Sequence, residues 1–368
     1  MKKVLLSLLM ATSLVACGEK TEAPKENEKP VVKIGAILPL SGNLAYIGEG
    51  NKKALQLLIK KWNKKDTKYK YEMIIEDDML KPQQAAINSQ KLINIDKANV
   101  LVSVFGVVDR VVDEIANKNK VISLSCSYGK NNLPEYGFNV GTQNEEIYEA
   151  TLKELKKKNA KKVALVGSNS AISNATLDYA AENLPKDGIE IVANEKYAIG
   201  QIDYRLSIQK IEQENPDYYL VFGVEPMNSV FLRQYYEITG NNNIASLGAF
   251  SNISTKMFPP INGVWSAYLV GGTEEFRNSY REEYGDSDIE ACSANLYDGL
   301  DMIINAFETT ELKDNEKIPN NANVLKNVFD IGVWEGAFGK MSVEKNGIVR
   351  TDTEIRTYKD GKWVKVEE

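Results

Sequence analysis

Asp77-Asp78 at the end of an apolar run, the isolated carboxylate Glu225 and the three cysteines Cys17, Cys126 and Cys292 are the residues whose types could support chemistry. An adjacent carboxylate pair can share a proton in acid–base catalysis. Neighbouring strand residues point to opposite faces, however, so Asp77-Asp78 reads better as a strand-end turn or cap. The chain has no histidine, which removes the commonest general base, the commonest metal ligand and every Ser-His or Cys-His nucleophile. Gly48-Glu49-Gly50 lacks the third glycine of a dinucleotide fingerprint, and neither a Walker-type loop nor a metal-ligand cluster occurs. No catalytic residue, cofactor or metal is expected, and the chain reads as a binding protein rather than an enzyme.

Cys17 stands in a context of its own. Met1-Lys2-Lys3 supplies a positive start, and the uncharged stretch Val4 to Ala16 fits a signal-peptide core while being too short to span a bilayer. Leu14-Val15-Ala16-Cys17-Gly18 resembles the bacterial lipobox, which implies cleavage after residue 16 and a lipidated Cys17. Several acyl chains on one residue anchor firmly, since each buried CH₂ adds about 0.8 kcal/mol. Residues 17–30 continue as a charged, Pro-containing tether with too little apolar surface to fold. The expected location is outside the cytoplasm, on the cell membrane or an outer membrane.

The net charge of −6 argues against nucleic acid as a partner. Lysine clusters at 60–65 and 156–162 fall on helices or at their ends, where a solvated face is the ordinary reading. Cys126 and Cys292 leave two possibilities open, a disulfide or two buried thiols.

These residues must be positioned by a large frame. Residues 31–368 exceed the size at which one core usually suffices, so two lobes are expected. Strands are predicted at 31–38, 71–75, 100–105 and 121–125, with helices at 54–62, 82–95 and 108–117 between them. The alternation restarts, with helices at 146–157, 171–183, 204–214 and 227–239 and strands at 162–167, 189–193, 218–223 and 245–249. Such alternation implies parallel sheets with helices on both faces. After an apolar stretch at 263–270, helices at 273–284 and 292–309 break the pattern. The tail reads as one meander through 340–343, 354–359 and 363–366, turning at Asn346-Gly347 and Asp360-Gly361.

Four stretches carry a likeness to a known family. They are Ile34 to Gly42 with Gly48-Glu49-Gly50; Glu76-Asp77-Asp78 with Lys81 to Ala85; Asn215-Pro216-Asp217 with the strand 218–223, Pro226 and Leu232-Arg233-Gln234; and Gly336-Ala337-Phe338-Gly339 through Asn346-Gly347 to Lys362-Trp363-Val364. In order and spacing the chain resembles the type I periplasmic solute-binding proteins of the branched-chain amino-acid transporter kind, over nearly all of residues 31–368. The resemblance implies an α/β fold of two doubly wound lobes joined by a three-strand hinge. Lobe I would be 31–146 plus 272–345, and lobe II 147–271 plus 346–368.

The resemblance also implies a ligand cleft between the lobes. On the lobe I side it would contain Ser41, the Phe105-Gly106-Val107 turn and Ser125 to Gly129. Ser127 is expected to offer a hydroxyl to a ligand carboxylate, unless it is a turn serine bonded to its own backbone. Ile47 stands near a position where relatives carry an aromatic residue, and Tyr46 is adjacent to it. In lobe II, Ile172, Glu225 and Phe250 match the cleft, although relatives have a tyrosine near the first and an ammonium-binding glutamate near the last. Glu225 is either the partner of an ammonium group or a solvated loop carboxylate. The function implied is that of a monomeric substrate-binding lipoprotein that captures an amino acid or related small molecule for an ABC permease complex. A lipoprotein that senses such a ligand and signals to a receptor is the alternative, and an adhesion lipoprotein would have a cleft that binds nothing.

Overall fold

A strand covered by helices on both faces reads as an almost unbroken apolar run, as residues 31–38 and 100–104 of this chain do. The computed structural model describes residues 29–129, 132–252, 262–268, 272–285 and 289–366. The expected export signal, Cys17 and all but the last two residues of the tether lie outside the described residues.

From the amino end the elements run β1 (Val31–Leu38), α1 (Ala45–Asn63), β2 (Lys70–Asp77), α2 (Pro82–Asn94), β3 (Val100–Val104), α3 (Gly106–Lys118), β4 (Ile122–Cys126) and β5 (Gly137–Asn139). These strands form a parallel sheet in the order β2-β1-β3-β4-β5. The pattern restarts with α4 (Asn144–Lys157), β6 (Lys162–Ser168), α5 (Ala171–Asn183), β7 (Glu190–Tyr197), α6 (Arg205–Glu212), β8 (Tyr218–Phe222), α7 (Met227–Thr239), β9 (Ile244–Ser246) and β10 (Trp265–Tyr268). Their parallel order, β7-β6-β8-β9-β10, repeats that of the first sheet. The helices α8 (Glu274–Tyr284), α9 (Ser293–Thr309) and α10 (Asn321–Phe329) then return to the first lobe.

Alternation along each strand sorts side chains between two cores. Ile34, Ala36 and Leu38 of β1 pack with α1 and α9, whereas Ile37 meets α2 and α3 on the other face. In the second lobe Val163 and Leu165 face α4 and α5, and Ala164 and Val166 face α6 and α7. Each valine, leucine or isoleucine so buried contributes about 1.5–3 kcal/mol. Helix starts are fixed locally: the hydroxyl of Ser170 accepts the Ser173 amide at α5, and Thr273 accepts the Phe276 amide at α8.

The tail departs from the single meander expected. A short strand, β13 (Val349–Thr351), follows the Asn346-Gly347 turn and pairs with β12 (Lys340–Val343), which pairs in turn with β11 (Val333–Glu335). Met341, Val343 and Val349 enter the first core, so this sheet belongs to the first lobe. The hairpin β14 (Glu354–Lys359) and β15 (Lys362–Lys365) joins the second sheet instead, antiparallel to β10. The glycine-flanked stretch before β12 is held by Asp298 of α9, whose carboxylate accepts the amides of Ala337 and Phe338 at 2.7 Å each. Burial pushes that carboxyl up to about 7, against the opposing effect of these bonds.

Among the described residues the chain passes between lobes three times, after β5, between β10 and α8, and between β13 and β14. A disulfide joins Cys126 at the end of β4 to Cys292 at the start of α9, with Cα atoms 6.0 Å apart. It closes a loop with a sequence separation of 166, which limits the unfolded chain strongly. Cys126→Ser should therefore lower stability by about 2–4 kcal/mol. Reductant should bring the parent protein's melting temperature down to that of the variant; a reductant-insensitive parent would contradict the bond.

Candidate ligand cleft at two facing switch points

In the first sheet the chain steps from β1 outward to β2 on one side and to β3 on the other. The carboxyl ends of β1 and β3 are therefore a topological switch point, where diverging loops leave a crevice. The second sheet repeats this at the ends of β6 and β8. Four helices, α1, α3, α5 and α7, begin at these ends and present first-turn amides and the positive ends of their dipoles.

On the first wall, Ser41 is exposed in the loop after β1. Its hydroxyl and amide bond to Asp77, which also accepts the amides of Leu40 and Met79 at 2.9 Å each. Burial would raise the Asp77 carboxyl, but these bonds outweigh it and hold the group below its ordinary value. Asp78 is fully buried, accepts the Leu80 amide at 2.6 Å, and is pushed up to about 6 by burial. Both aspartates thus act as caps on the end of β2, in keeping with the reading of the sequence. Gly48 allows α1 to approach the same loop, since a Cβ there would overlap the Pro39 carbonyl.

Phe105 precedes α3 with φ of +74°, and its carbonyl accepts the amides of Val108 and Asp109 at 2.9 Å each. The amides of Gly106 and Val107, at exposed positions, therefore open the helix without intrahelical acceptors. Ser127 lies beneath them, only 4% exposed, and a Cβ at position 106 would stand 3.6 Å from its hydroxyl oxygen. That hydroxyl donates to the Asp109 carboxylate. Its hydrogen is thus committed to a buried acid rather than to a ligand carboxylate or to its own backbone, because the Asp109 carboxyl lies within hydrogen-bond reach. Ser125 is fully buried in β4 and bonds Asn139, whose side chain also accepts the Ser127 amide at 3.0 Å.

On the second wall Ile172, in the first turn of α5, is 37% exposed. Glu225 lies in the loop after β8 and accepts the Ser229 hydroxyl at 2.6 Å. Burial raises its carboxyl, opposed by bonds from Ser229 and Asn228. Asn228 in turn grips Gly223 through both its amide and its carbonyl, and Ser168 at the end of β6 accepts the Val224 amide at 3.0 Å. The two strand ends are stitched together by these bonds. Phe250 has no exposed surface; it packs in the second lobe's core with Tyr204 and Phe231 and so does not line the cleft in this conformation. Its position at a 3-10 turn, capped by Ser246, buries what the alignment of motifs placed at the surface.

The two walls are linked by charge. Tyr46, in the first turn of α1 and 52% exposed, has its phenol pushed up by burial and then by the negative charges of Glu290 and Glu225. Glu225 belongs to the other lobe, so the two switch points share one electrostatic environment. Ile47 is half-buried, leaving Tyr46 as the aromatic residue on the surface. Tyr204 also feels Glu225, after burial.

Sequence reasoning did not single out Glu290, Asp109 or Asn139. Asp109 did leave a signal: with Asp113 it puts two carboxylates on the apolar stripe of α3, each meeting a β4-side serine, Ser127 and Ser123. Gly50 marked Glu290, whose side chain fills the space a Cβ at 50 would need, but only the tertiary structure brings the two together.

A family model described as periplasmic binding protein matches residues 31–362. The chain is 25% identical over 228 residues to the Leu/Ile/Val-binding protein BraC3 of Rhizobium johnstonii, covering 60% of this chain and 62% of that one, less than two thirds of its length. It resembles in fold the solute binding protein of an ABC transporter from Rhodopseudomonas palustris in complex with 3,4-dihydroxy benzoic acid, at TM-score 0.76 and 22% identity over 91% of this chain and 96% of that chain. LivJ of Streptococcus pneumoniae in complex with isoleucine shares the fold at TM-score 0.74 and 20% identity, over 91% of this chain and 100% of that chain.

The lowered carboxyl of Asp77 carries a sign. Its contribution to stability is complete above the ordinary value of 3.8 and is lost as pH falls through the lowered folded value. Asp77→Asn should remove that part of the acid limb, giving a melting temperature that falls less steeply below about pH 4. Identical acid limbs in parent and variant would show that the cap does not depend on charge.

Proposed function

The chain belongs to the periplasmic binding protein family, and from that premise we propose that it is the extracytoplasmic substrate-binding lipoprotein of an ABC transporter. It captures an amino acid or related small acid between its lobes, closes at the hinge and delivers the ligand to a membrane permease. The observation that carries this reading is the repeat of one strand order, and so of one switch point, in each of the two sheets, with the Glu225 charge of one acting on Tyr46 of the other.

The amides of Gly106 and Val107 suit a carboxylate, which helix N-termini favour. They replace the Ser127 hydroxyl in that role. Glu225 suits an ammonium group, with Tyr46 and Ile172 supplying contact surface on opposite walls. BraC3 is named for leucine, isoleucine and valine, and the two solved structures hold isoleucine and 3,4-dihydroxy benzoic acid, all of them small carboxylic acids. A ligand closes the cleft only by its differential affinity for the closed state.

The location follows from the family, whose members act outside the cytoplasm, and the disulfide suits an oxidising compartment. Cys17 is the anchor in this reading. Pro30 meets Lys70 at the amino end of the first sheet, so a tether entering there leaves the cleft, at the carboxyl ends, turned away from the attachment. The protein works as a monomer.

Two measurements test the reading. In a thermal-shift screen of amino acids, amides, nucleobases and organic acids, with the protein first unfolded and refolded to empty it, a ligand at 100 times its Kd should add about 2.7 kcal/mol. No shift from any compound would end the transport reading. Glu225→Gln should weaken amine-bearing ligands about 10- to 100-fold while leaving simple acids unchanged. In cells, Cys17→Ala should abolish incorporation of labelled fatty acid and free the protein from the membrane fraction; retained label would exclude Cys17 as the attachment point.

A further inference from the structure

The lysines of residues 60–70 lie on the turn that leads from α1 into β2, at the amino ends of the strands and opposite the cleft. Neighbouring turns are bonded into one face with it. The Lys70 amide donates to the Pro30 carbonyl at 2.9 Å, and the Lys33 ammonium donates to the Asp96 carbonyl at 3.0 Å. Glu308 at the end of α9 accepts the Lys68 amide at 2.8 Å, and the Asn321 side chain donates to the Lys120 carbonyl at 2.9 Å. The chain before residue 29 joins the first lobe at this face, through Pro30.

Positive charge is in surplus here. Asp66 pairs with Lys29 at 3.1 Å, Glu72 with Lys70 at 2.7 Å and Glu283 with Lys60 at 2.7 Å, while Glu308 also holds the Tyr71 hydroxyl at 2.6 Å. Lys61, Lys64, Lys65 and Lys68 around the end of α1, Lys97 before β3 and Lys120 before β4 are exposed and form no ion pair among the described residues. Asp301, whose charge Lys61 and Lys65 feel, is bonded to the Trp62 indole at 2.6 Å. Complementing a helix dipole accounts for Lys61, in the last turn of α1, but not for Lys65 and Lys68 beyond it. The second lobe gives the contrast: Lys156, Lys158, Lys162 and Lys186 each meet a carboxylate within 3.9 Å. Lys97 and Lys120 also hold φ of +60° and +55°, where the matching turns of the second lobe, before β8 and β9, use Asn215 and Gly240. Asparagine and glycine adopt that conformation more readily, so the first lobe keeps cations at a backbone cost the second avoids. Ile95, 73% exposed at the end of α2, and Leu312, 48% exposed after α9, add apolar groups to the same pole.

We propose that this pole of the first lobe is a docking surface for an anionic lipid bilayer, with its lysines against the headgroups and Ile95 and Leu312 entering the interface. The net charge of −6 would repel such a surface from the protein as a whole, so the attraction is local to the unpaired lysines. It acts within about a Debye length and is screened by salt. A tether entering at the same pole keeps the lysines within that range, and the docked lobe holds the cleft outward, towards incoming ligand. This setting rests on the reading of a membrane-tethered protein, whereas the lipid contact itself requires no anchor.

The hydrophobic cores lie within residues 32–363, so the chain from residue 18 keeps the fold without the anchor. In co-sedimentation at about 0.05 M salt it should bind phosphatidylcholine vesicles containing about one third phosphatidylglycerol but not pure phosphatidylcholine vesicles, and about 0.5 M salt should release it. Lys64→Gln, Lys65→Gln and Lys68→Gln together should weaken that binding about 100-fold, while Lys210→Gln in the second lobe should leave it unchanged. Ile95→Ser should weaken binding to the vesicles but not to soluble polyphosphate, which carries charge without a bilayer. Equal binding to both kinds of vesicle, or a triple variant bound as tightly as the parent, overturns the proposal. Polyphosphate bound as tightly as the vesicles, with Ile95→Ser without effect on either, overturns it too and assigns the pole to a soluble polyanion. Thermal shifts caused by cleft ligands are independent of these outcomes, so the transport reading stands or falls separately.

Discussion

With helices packed on both faces of each sheet, the surfaces that parallel strands can offer a solute are their ends, and everything functional in this chain is arranged around that restriction. Ile34, Ala36 and Leu38 on one face of β1 and Ile37 on the other are all fully buried. Each sheet then opens a crevice where its chain direction diverges, and using the same strand order twice produces two crevices that can meet. The hinge has to be narrow for the same reason: strands of one sheet cannot continue into the other without breaking a core, so the chain crosses in short segments around Thr142 and Thr351.

Carboxylates near those ends are distinguished by what they hold. Asp77, Asp78 and Asp298 accept backbone amides and so fix loops, whereas Asp109 takes the hydroxyl of the buried Ser127. Glu225 keeps its bonds within its own helix turn, through Ser229, and remains at the wall of the cleft. A carboxylate that fixes a distant loop through its amides is a structural part, while one whose bonds all come from its own helix turn, as those of Glu225 come from Asn228 and Ser229, can still accept a charged partner.

Much of the frame was legible beforehand. Short, largely apolar runs marked β1, β3, β4 and β8, and α2 opens at Pro82 where the sequence placed it. Short elements were not legible: β5, β11 and β13 are three residues each, too few for a period to register, and β13 sends the tail into two sheets instead of one meander. The residues proposed for the cleft came from a likeness of motifs. Ser41, Gly106, Val107, Ile172 and Glu225 do stand at strand ends, while Phe250 does not reach the surface.

The sequence by itself determined the alternating pattern, the doubling of that pattern and the lack of histidine chemistry, because composition and periodicity are local and survive without knowing who touches whom. Only the tertiary structure decided that Cys126 meets Cys292, that Ser127 answers to Asp109, that Tyr46 and Glu225 share a field and that Lys70 meets Pro30 at one pole. Each of those joins residues far apart in the chain, and a long-range pairing is fixed by how whole elements pack rather than by any property of the two residues that end up in contact.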